Sequence, residues 1–260
     1  MRIIRYQVND ESPAYGWVID DKVGGIEGSP FGEFRRLEAE TPVSEVKLVP
    51  PTQPGKIICV GRNYAAHAEE HNAPMPDVPL LFLKPPSSLI APGDTIYLPP
   101  QSQQVEHEAE LAAVIGKRGR WLSPDRALDY VLGYTAANDV TARDLQQRDG
   151  QWTRSKSFDT FCPIGPWIDT EFNPTDVLVS CHVNDELRQM ASTRDMAFPI
   201  RQLVAYASSV MTLEPGDLLL TGTPSGVGPL VDGDEVVVTI EGLGVLSNPV
   251  KAEPTRKLEN

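Results

Sequence analysis

Apolar and polar positions along this chain alternate in many short runs, with few long ones. Residues 1–7 and 15–19 carry strand composition around a polar turn, Asn9-Asp10-Glu11-Ser12, and residues 22–26 are predicted to pair as a third strand. A polar, acidic stretch follows, and Pro50-Pro51-Thr52-Gln53-Pro54-Gly55 marks a boundary. Beyond it, residues 56–60, 80–84, 105–115, 134–139, 177–183, 218–221 and 235–240 read as strands. Three stretches read as helices. Residues 64–72 have helical composition, with Asn63 as N-cap. Residues 124–131 follow Ser123 as N-cap with proline at the first helical position. Residues 199–211 place Ile200, Leu203, Val204, Ala207 and Val210 on one side. Strand and helix do not alternate regularly, which excludes a Rossmann or barrel arrangement. The pattern predicts an α+β, β-rich fold, a mixed sandwich-like roll. Three parts are expected: a small N-terminal β unit over 1–50, a catalytic unit over 56–250 and a tail over 251–260.

Composition narrows the classes. The 260 residues are 40% hydrophobic and 23% charged, which suits a globular chain. A formal net charge of −13 with scattered Lys and Arg argues against a nucleic-acid partner. No apolar run is long enough to span a bilayer, and the start lacks a signal-peptide apolar region. Cys59, Cys162 and Cys181 are an odd, widely spaced set. They form neither a disulfide framework nor a zinc pattern, so a reducing cytoplasm is the economical setting.

The candidate chemistry begins at Val105-Glu106-His107-Glu108-Ala109-Glu110-Leu111. In a strand, Glu106, Glu108 and Glu110 share a face that runs into an apolar stretch. Carboxylates about 7 Å apart that enter a core repel one another unless a cation lies between them. Oxygen-only ligands suit a hard cation such as Mg²⁺, Mn²⁺ or Ca²⁺. An exposed acidic strand end is the alternative. Asp139, closing the apolar strand that ends in Asn138-Asp139, is a third carboxylate; a turn-forming Asn-Asp pair is its alternative. Asp144 is expected to lie elsewhere and to pair with Arg143.

His67 and Glu70 are i and i+3 on the predicted helix, so Glu70 can orient the imidazole as a general-base pair. His67 and His71 have the zincin spacing, but Ala68 stands where that motif needs glutamate. Lys156, beside an aromatic-rich loop, could bind a substrate carboxylate or form a Schiff base. The turn Gly222-Thr223-Pro224-Ser225-Gly226-Val227-Gly228 is no P-loop, yet its N–H groups and Thr223 could hold a carboxylate or enolate oxygen.

Together these segments resemble the fumarylacetoacetate hydrolase family. The matching pieces are Gly61-Arg62-Asn63-Tyr64 with His67 and Glu70, Phe82-Leu83-Lys84-Pro85, His107-Glu108-Ala109-Glu110-Leu111, and residues 138–146 from Asn138-Asp139 to Leu145-Gln146. Ser155-Lys156-Ser157-Phe158-Asp159, Gly222-Thr223-Pro224 and Glu241-Gly242-Leu243-Gly244 complete the set. The resemblance implies a β-sandwich roll that dimerises, with Glu108, Glu110 and Asp139 as ligands of Mg²⁺ or Mn²⁺. It implies His67 with Glu70 as the acid/base pair and Lys156 as a further catalytic group. It places substrate against Arg62, Asn63, Tyr64, Lys84, Arg143, Gln146, Gly222 and Thr223. Residues 56–66 contain no acid, unlike the mammalian tyrosine-pathway enzyme, which points toward the acylpyruvase-like branch.

The expected activity is metal-assisted cleavage of a C–C bond in an acylpyruvate or related 2-oxo acid, with His67 activating water. Oxaloacetate decarboxylation is the runner-up, and isomerisation or decarboxylation of a hydroxymuconate-type diacid the third. A catalytically silent small-molecule-binding homologue is the non-enzymatic reading.

Overall fold

The computed structural model describes residues 1–9 and 11–254. Most of the chain is sheet. The largest sheet runs, in spatial order, through Phe34–Pro42, Lys22–Gly28, Ala14–Ile19, Arg2–Gln7, Cys162–Asp169, Val131–Asn138, Ala109–Ile115, Leu218–Leu220, Ile57–Gly61 and Leu80–Lys84. Its neighbours pair antiparallel except Leu218–Leu220 with Ile57–Gly61, which are parallel. The N-terminal strands join this sheet directly, because Arg2 and Ile3 pair with Asp169 and Ile168. A five-stranded sheet is built from Glu186–Ser192, Leu178–Val183, Glu235–Ile240, Gly244–Ala252 and Ile96–Leu98.

The strand Ala109–Ile115 is buried on both faces, which explains its near-continuous apolar sequence. Leu111, Ala113 and Ile115 face one core with Val179, Cys181, Val236 and Val238 of the five-stranded sheet. Ala112 and Val114 face a second core with Ile57, Cys59, Leu218, Leu220 and Ile164. Glu110 shares the parity of Ala112 and Val114, so it belongs to the second face, at the end of that core. All three cysteines are free and buried, as their spacing suggested.

Several expected elements differ in extent. The run 105–115 is two strands. Val105–His107 pairs with Thr141–Ala142 and Gly228–Pro229 in a small separate sheet, and Ala109–Ile115 joins the large one. Glu108 is the residue at the crossing. The polar, acidic stretch before residue 50 contains the strand Phe34–Pro42, whose exposed side chains hide its alternation. Cys162–Asp169, Glu186–Ser192 and Gly244–Ala252 are further strands, the last running into the expected tail. Residues 255–260 of that tail, and Asp10 of the expected turn, lie outside the described residues.

The helix expected over 124–131 is a single α-turn, Pro124–Ala127, followed by a tighter turn at Leu128–Tyr130. Ser123 precedes it, but its side chain makes no capping bond. Asn63 is not a cap either. The helix Ala65–Glu70 begins after Tyr64, and the Asn63 amide instead accepts from the Phe198 N–H and donates to the carbonyls of Phe198 and Thr221. The long helix Ile200–Val210 buries Ile200, Leu203, Val204 and Ala207 as expected, while Val210 is 54% exposed. At 3.6 residues per turn Val210 lies roughly 80° around the helix from Ile200, at the edge of the apolar stripe.

That difference is measurable. Leu203→Ala is expected to destabilise the fold by about 2–5 kcal/mol. Val210→Ala is expected to stay within about 0.5 kcal/mol of wild type. Denaturant unfolding of both variants checks this, and equal losses would return Val210 to the packed face.

Candidate active site

The crossing at Glu108 sets the geometry. Its N–H donates to Asn138 Oδ1 at 2.9 Å, and its carbonyl accepts from the Asp139 N–H at 2.8 Å. Ala109 pairs with Asn138 and Glu110 with Ala137 across the same strands. The backbone thus brings Glu108, Glu110 and Asp139 together, and one carboxylate oxygen from each lies within 4.8 Å of the others. All three side chains are buried.

Charged neighbours are packed around them. Lys156 Nζ donates to Glu108 Oε2 at 2.8 Å and to Asp139 Oδ2 at 2.7 Å. Lys84 Nζ donates to Asp139 Oδ1 at 2.5 Å and to the Val140 carbonyl at 3.1 Å. Arg143 spans Glu106 Oε2 at 2.7 Å and Glu108 Oε1 at 2.5 Å, and it donates to Gln146 Oε1 at 2.6 Å. Four buried acids therefore face three buried cations. Among the described residues Glu110 is the one of these acids without a cationic partner; the Gly222 N–H donates to its Oε2 at 2.7 Å.

Protonation follows this imbalance. Burial alone would push the Glu108 carboxyl up, but Lys156 and Arg143 hold it well below the usual carboxylate range. Burial, then Asp139 and Glu108, push Glu110 well above that range. A buried carboxylate crowded by two others is costly as an anion. Three oxygen donors with one charge unmatched have the chemistry that a hard divalent cation satisfies. On this structure the residues fit such an ion.

The cavity beside the cluster has a volume of ≈ 180 Å³ and is lined by Arg62, His67, Glu108, Glu110, Arg143, Gln146, Lys156 and Thr223, among others. His67 is 7% exposed, and burial lowers its pKa against the opposing pull of Glu108. Its Nδ1 lies 3.4 Å from Glu70 Oε2 but makes no aligned hydrogen bond. The Glu70 carboxylate accepts instead from the Gly226 N–H at 3.1 Å.

Of the other residues expected against substrate, Thr223 lines the cavity, whereas Asn63, Tyr64, Lys84 and Gly222 are not part of its lining. Lys84 is fully buried against Asp139. Asn63 ties the Gly61–Tyr64 segment to Phe198 and Thr221. Tyr64 is buried, and burial with Glu110 raises its phenol. Gly222 adopts φ +95°, and a Cβ there would meet Asn63 Cβ at 2.7 Å, so only glycine allows this approach. Thr223 donates to the Ala109 carbonyl and accepts from Gln189 Nε2 at 2.8 Å. Asp144 does not pair with Arg143: it accepts from Ser102 Oγ and the Gln103 N–H, while Arg143 is held by Glu106 and Glu108.

The strand break also explains Glu106, which sequence parity put beside Glu108. It stands outside the carboxylate triplet and fixes Arg143. Residues that pattern reading missed include Asn138, Thr141 and Gln189. Thr141 donates to Glu108 Oε1 at 3.1 Å. Gln189 accepts from the Ala109 N–H at 3.0 Å, bonds His107 Nδ1 at 2.9 Å and donates to Thr223 and the Pro224 carbonyl. Asn138 and Thr141 flank Asp139 and could have been found from that position; Gln189 comes from a distant strand and carries no local signal. Phe82 and Trp152 complete the apolar wall, their rings 5.2 Å apart.

With this geometry in hand, comparison with known proteins is informative. The sequence model described as fumarylacetoacetate (FAA) hydrolase, C-terminal, matches residues 56–251, and one described as Rv2993c-like, N-terminal, matches residues 1–51. The mitochondrial oxaloacetate tautomerase Fahd2a of Rattus norvegicus is 47% identical over 231 residues, 83% of this chain and 74% of the relative. The crystal structure of 5-carboxymethyl-2-hydroxymuconate delta-isomerase from Mycobacterium smegmatis is 43% identical with a TM-score of 0.89, covering 97% of this chain and 100% of that one. Maleylpyruvate hydrolase from Sphingobium sp. SYK-6, solved with manganese(II) and pyruvate, is 33% identical with a TM-score of 0.80, covering 98% and 100%. No helix among the described residues is long and apolar enough to cross a membrane.

The unmatched Glu110 gives a pH signature. Its folded-state pKa is raised, so its contribution to stability is fully present below the ordinary carboxylate value and is lost as pH rises through the folded value. In chelator, Glu110→Gln is therefore expected to gain on wild type between pH 5 and pH 8. Saturating Mg²⁺ should reverse the order at pH 8. Paired denaturation curves check this, and a gap that does not change with pH would contradict the electrostatic assignment.

Proposed function

The chain belongs to the fumarylacetoacetate hydrolase family, and on that premise we propose that it is an enzyme moving a proton at the carbon next to the 2-oxo group of a small oxo acid. The single observation that carries this reading is the pocket itself: a carboxylate triplet one cation short, facing a buried imidazole and an arginine. In this reading Glu108, Glu110 and Asp139 hold Mg²⁺ or Mn²⁺. The ion, when bound, supplies Lewis acidity to the oxygens of a 2-oxo acid.

The remaining roles belong to side chains. His67, kept neutral by burial, takes the proton from carbon and returns it at the other end of the enol system. Glu70, held by the Gly226 N–H, lies close enough to steady the imidazolium that forms. Arg143 and Arg62 receive substrate carboxylates, with Gln146 fixing the Arg143 fork. Lys156 balances charge between Glu108, Asp139 and the developing enolate oxygen. Lys84, Gly222 and Thr223 position the acids and the turn around them; Asn63 and Tyr64 anchor the segment that leads into the helix carrying His67. Ile3 belongs to the second core, and Met1, Tyr15, Ile26 and Phe31 pack against it.

The tautomerase and isomerase relatives are named for proton shifts of this kind, which supports the reading. Hydrolysis of an acylpyruvate C–C bond is the second reading, favoured by the likeness to maleylpyruvate hydrolase. There His67 would activate water, and the proton shift would complete the release of a pyruvate-like product.

Two experiments separate these. A panel of oxaloacetate, acylpyruvates, fumarylpyruvate and hydroxymuconate-type diacids is assayed with Mg²⁺ and Mn²⁺ for ketonisation, for cleavage, and for deuterium uptake at C3. Accelerated deuterium uptake and ketonisation, abolished by chelator and restored by Mg²⁺, is the expected result. Cleavage without C3 exchange would leave only the hydrolytic reading, and no acceleration of any substrate would defeat both. His67→Ala is expected to lose about 10²–10⁴-fold in proton transfer while retaining cation affinity. A variant that keeps its rate would remove His67 as the base.

A further inference from the structure

His67 and Glu70, which have roles in the proposed reaction, form with the unused His71 a second group of donors. One ligand atom each from His67, Glu70 and His71 lies within 4.8 Å of the others. The helix Ala65–Glu70 carries His67 and Glu70 at i and i+3, His71 follows as its C-cap, and the two imidazole rings are 4.7 Å apart at 77°. Two features point to a ligand. His67 Nδ1 and His71 Nε2 are buried polar atoms with no hydrogen-bond partner among the described residues, and His67 is only 7% exposed. Buried polar atoms of this kind are normally satisfied. Glu70 Oε2 approaches His67 Nδ1 to 3.4 Å without an aligned hydrogen bond. That separation is about the edge of a tetrahedron whose metal–ligand bonds are about 2.0–2.1 Å. The Gly226 N–H donates to both Glu70 carboxylate oxygens, at 3.1 and 3.2 Å, and fixes the carboxylate as outer partners fix metal ligands. Glu70 is partly exposed, so an ion has a path in and a water can supply the fourth ligand.

We propose that His67, Glu70 and His71 form a second cation site, distinct from the carboxylate triplet, that takes a borderline transition ion such as Zn²⁺ and inhibits the enzyme by occupying His67. The two sites divide cations by chemistry. The triplet offers only oxygen and suits Mg²⁺ or Mn²⁺, whereas the His-Glu-His group offers two nitrogens and one oxygen and suits Zn²⁺ or Co²⁺. Binding itself requires only the three donors; inhibition rests on the reading of His67 as the base.

The test uses the full chain in excess Mg²⁺, with Zn²⁺ titrated against a chromophoric chelator. One Zn²⁺ per chain is expected. His71→Ala and, separately, Glu70→Gln should weaken it by more than the ~10–100-fold that loss of an outer partner costs. Glu108→Ala should keep it. Co²⁺ in place of Zn²⁺ should give visible bands of a four-coordinate site in wild type and lose them in Glu70→Gln. Unchanged affinity in both site variants, loss of the ion in Glu108→Ala, or absence of a bound Zn²⁺ beyond the triplet would each overturn the proposal. For the inhibitory consequence, the ratio of rates with and without Zn²⁺ is compared between wild type and His71→Ala. Zinc binding without inhibition would leave the second site standing and count against His67 as the base.

Discussion

The arrangement depends on one electrostatic constraint: Glu110 is buried with two other carboxylates beside it and, among the described residues, no cationic partner. Burying an unpaired ion costs several kcal/mol even after relaxation, roughly as much as the margin by which many domains are stable. Lys156, Lys84 and Arg143 neutralise Glu108, Asp139 and Glu106 between them, but none reaches Glu110. A fold that retains such a group is poised for a cation.

The backbone enforces the crowding. A single continuous strand over 105–115 would line up three glutamates at even spacing. The chain instead leaves a small sheet at His107 and enters the large one at Ala109, and the Glu108 and Asp139 backbones are tied together at that junction. The break diverts Glu106 to Arg143, so one acid holds that arginine while two share the triplet. Gln189, reaching in from the five-stranded sheet, joins His107, Ala109, Thr223 and Pro224. Both sheets therefore hold the site.

Much of this was legible from residue types. Glu108, Glu110, Asp139, His67 and Lys156 are chemically loaded residues next to apolar runs; four of them line one pocket, and Asp139 is bonded to Lys156 beside it. The roll was legible too, because short strands without a regular helical alternation admit few other architectures. What escaped was set by distant partners. Phe34–Pro42 exposes both faces and shows no alternation. Asn63 resembles a helix cap until Phe198 and Thr221, far along the chain, claim its amide. Asp144 follows Arg143 in sequence, yet Arg143 is held by acids on another strand.

The central claim is that the triplet is a cation site and not a lysine-neutralised acidic cluster. A crystal grown with Mn²⁺ and measured at the manganese absorption edge tests this most directly. One anomalous peak within coordination distance of Glu108, Glu110 and Asp139 is expected. No peak there, with Lys156 still bridging Glu108 and Asp139, would contradict it.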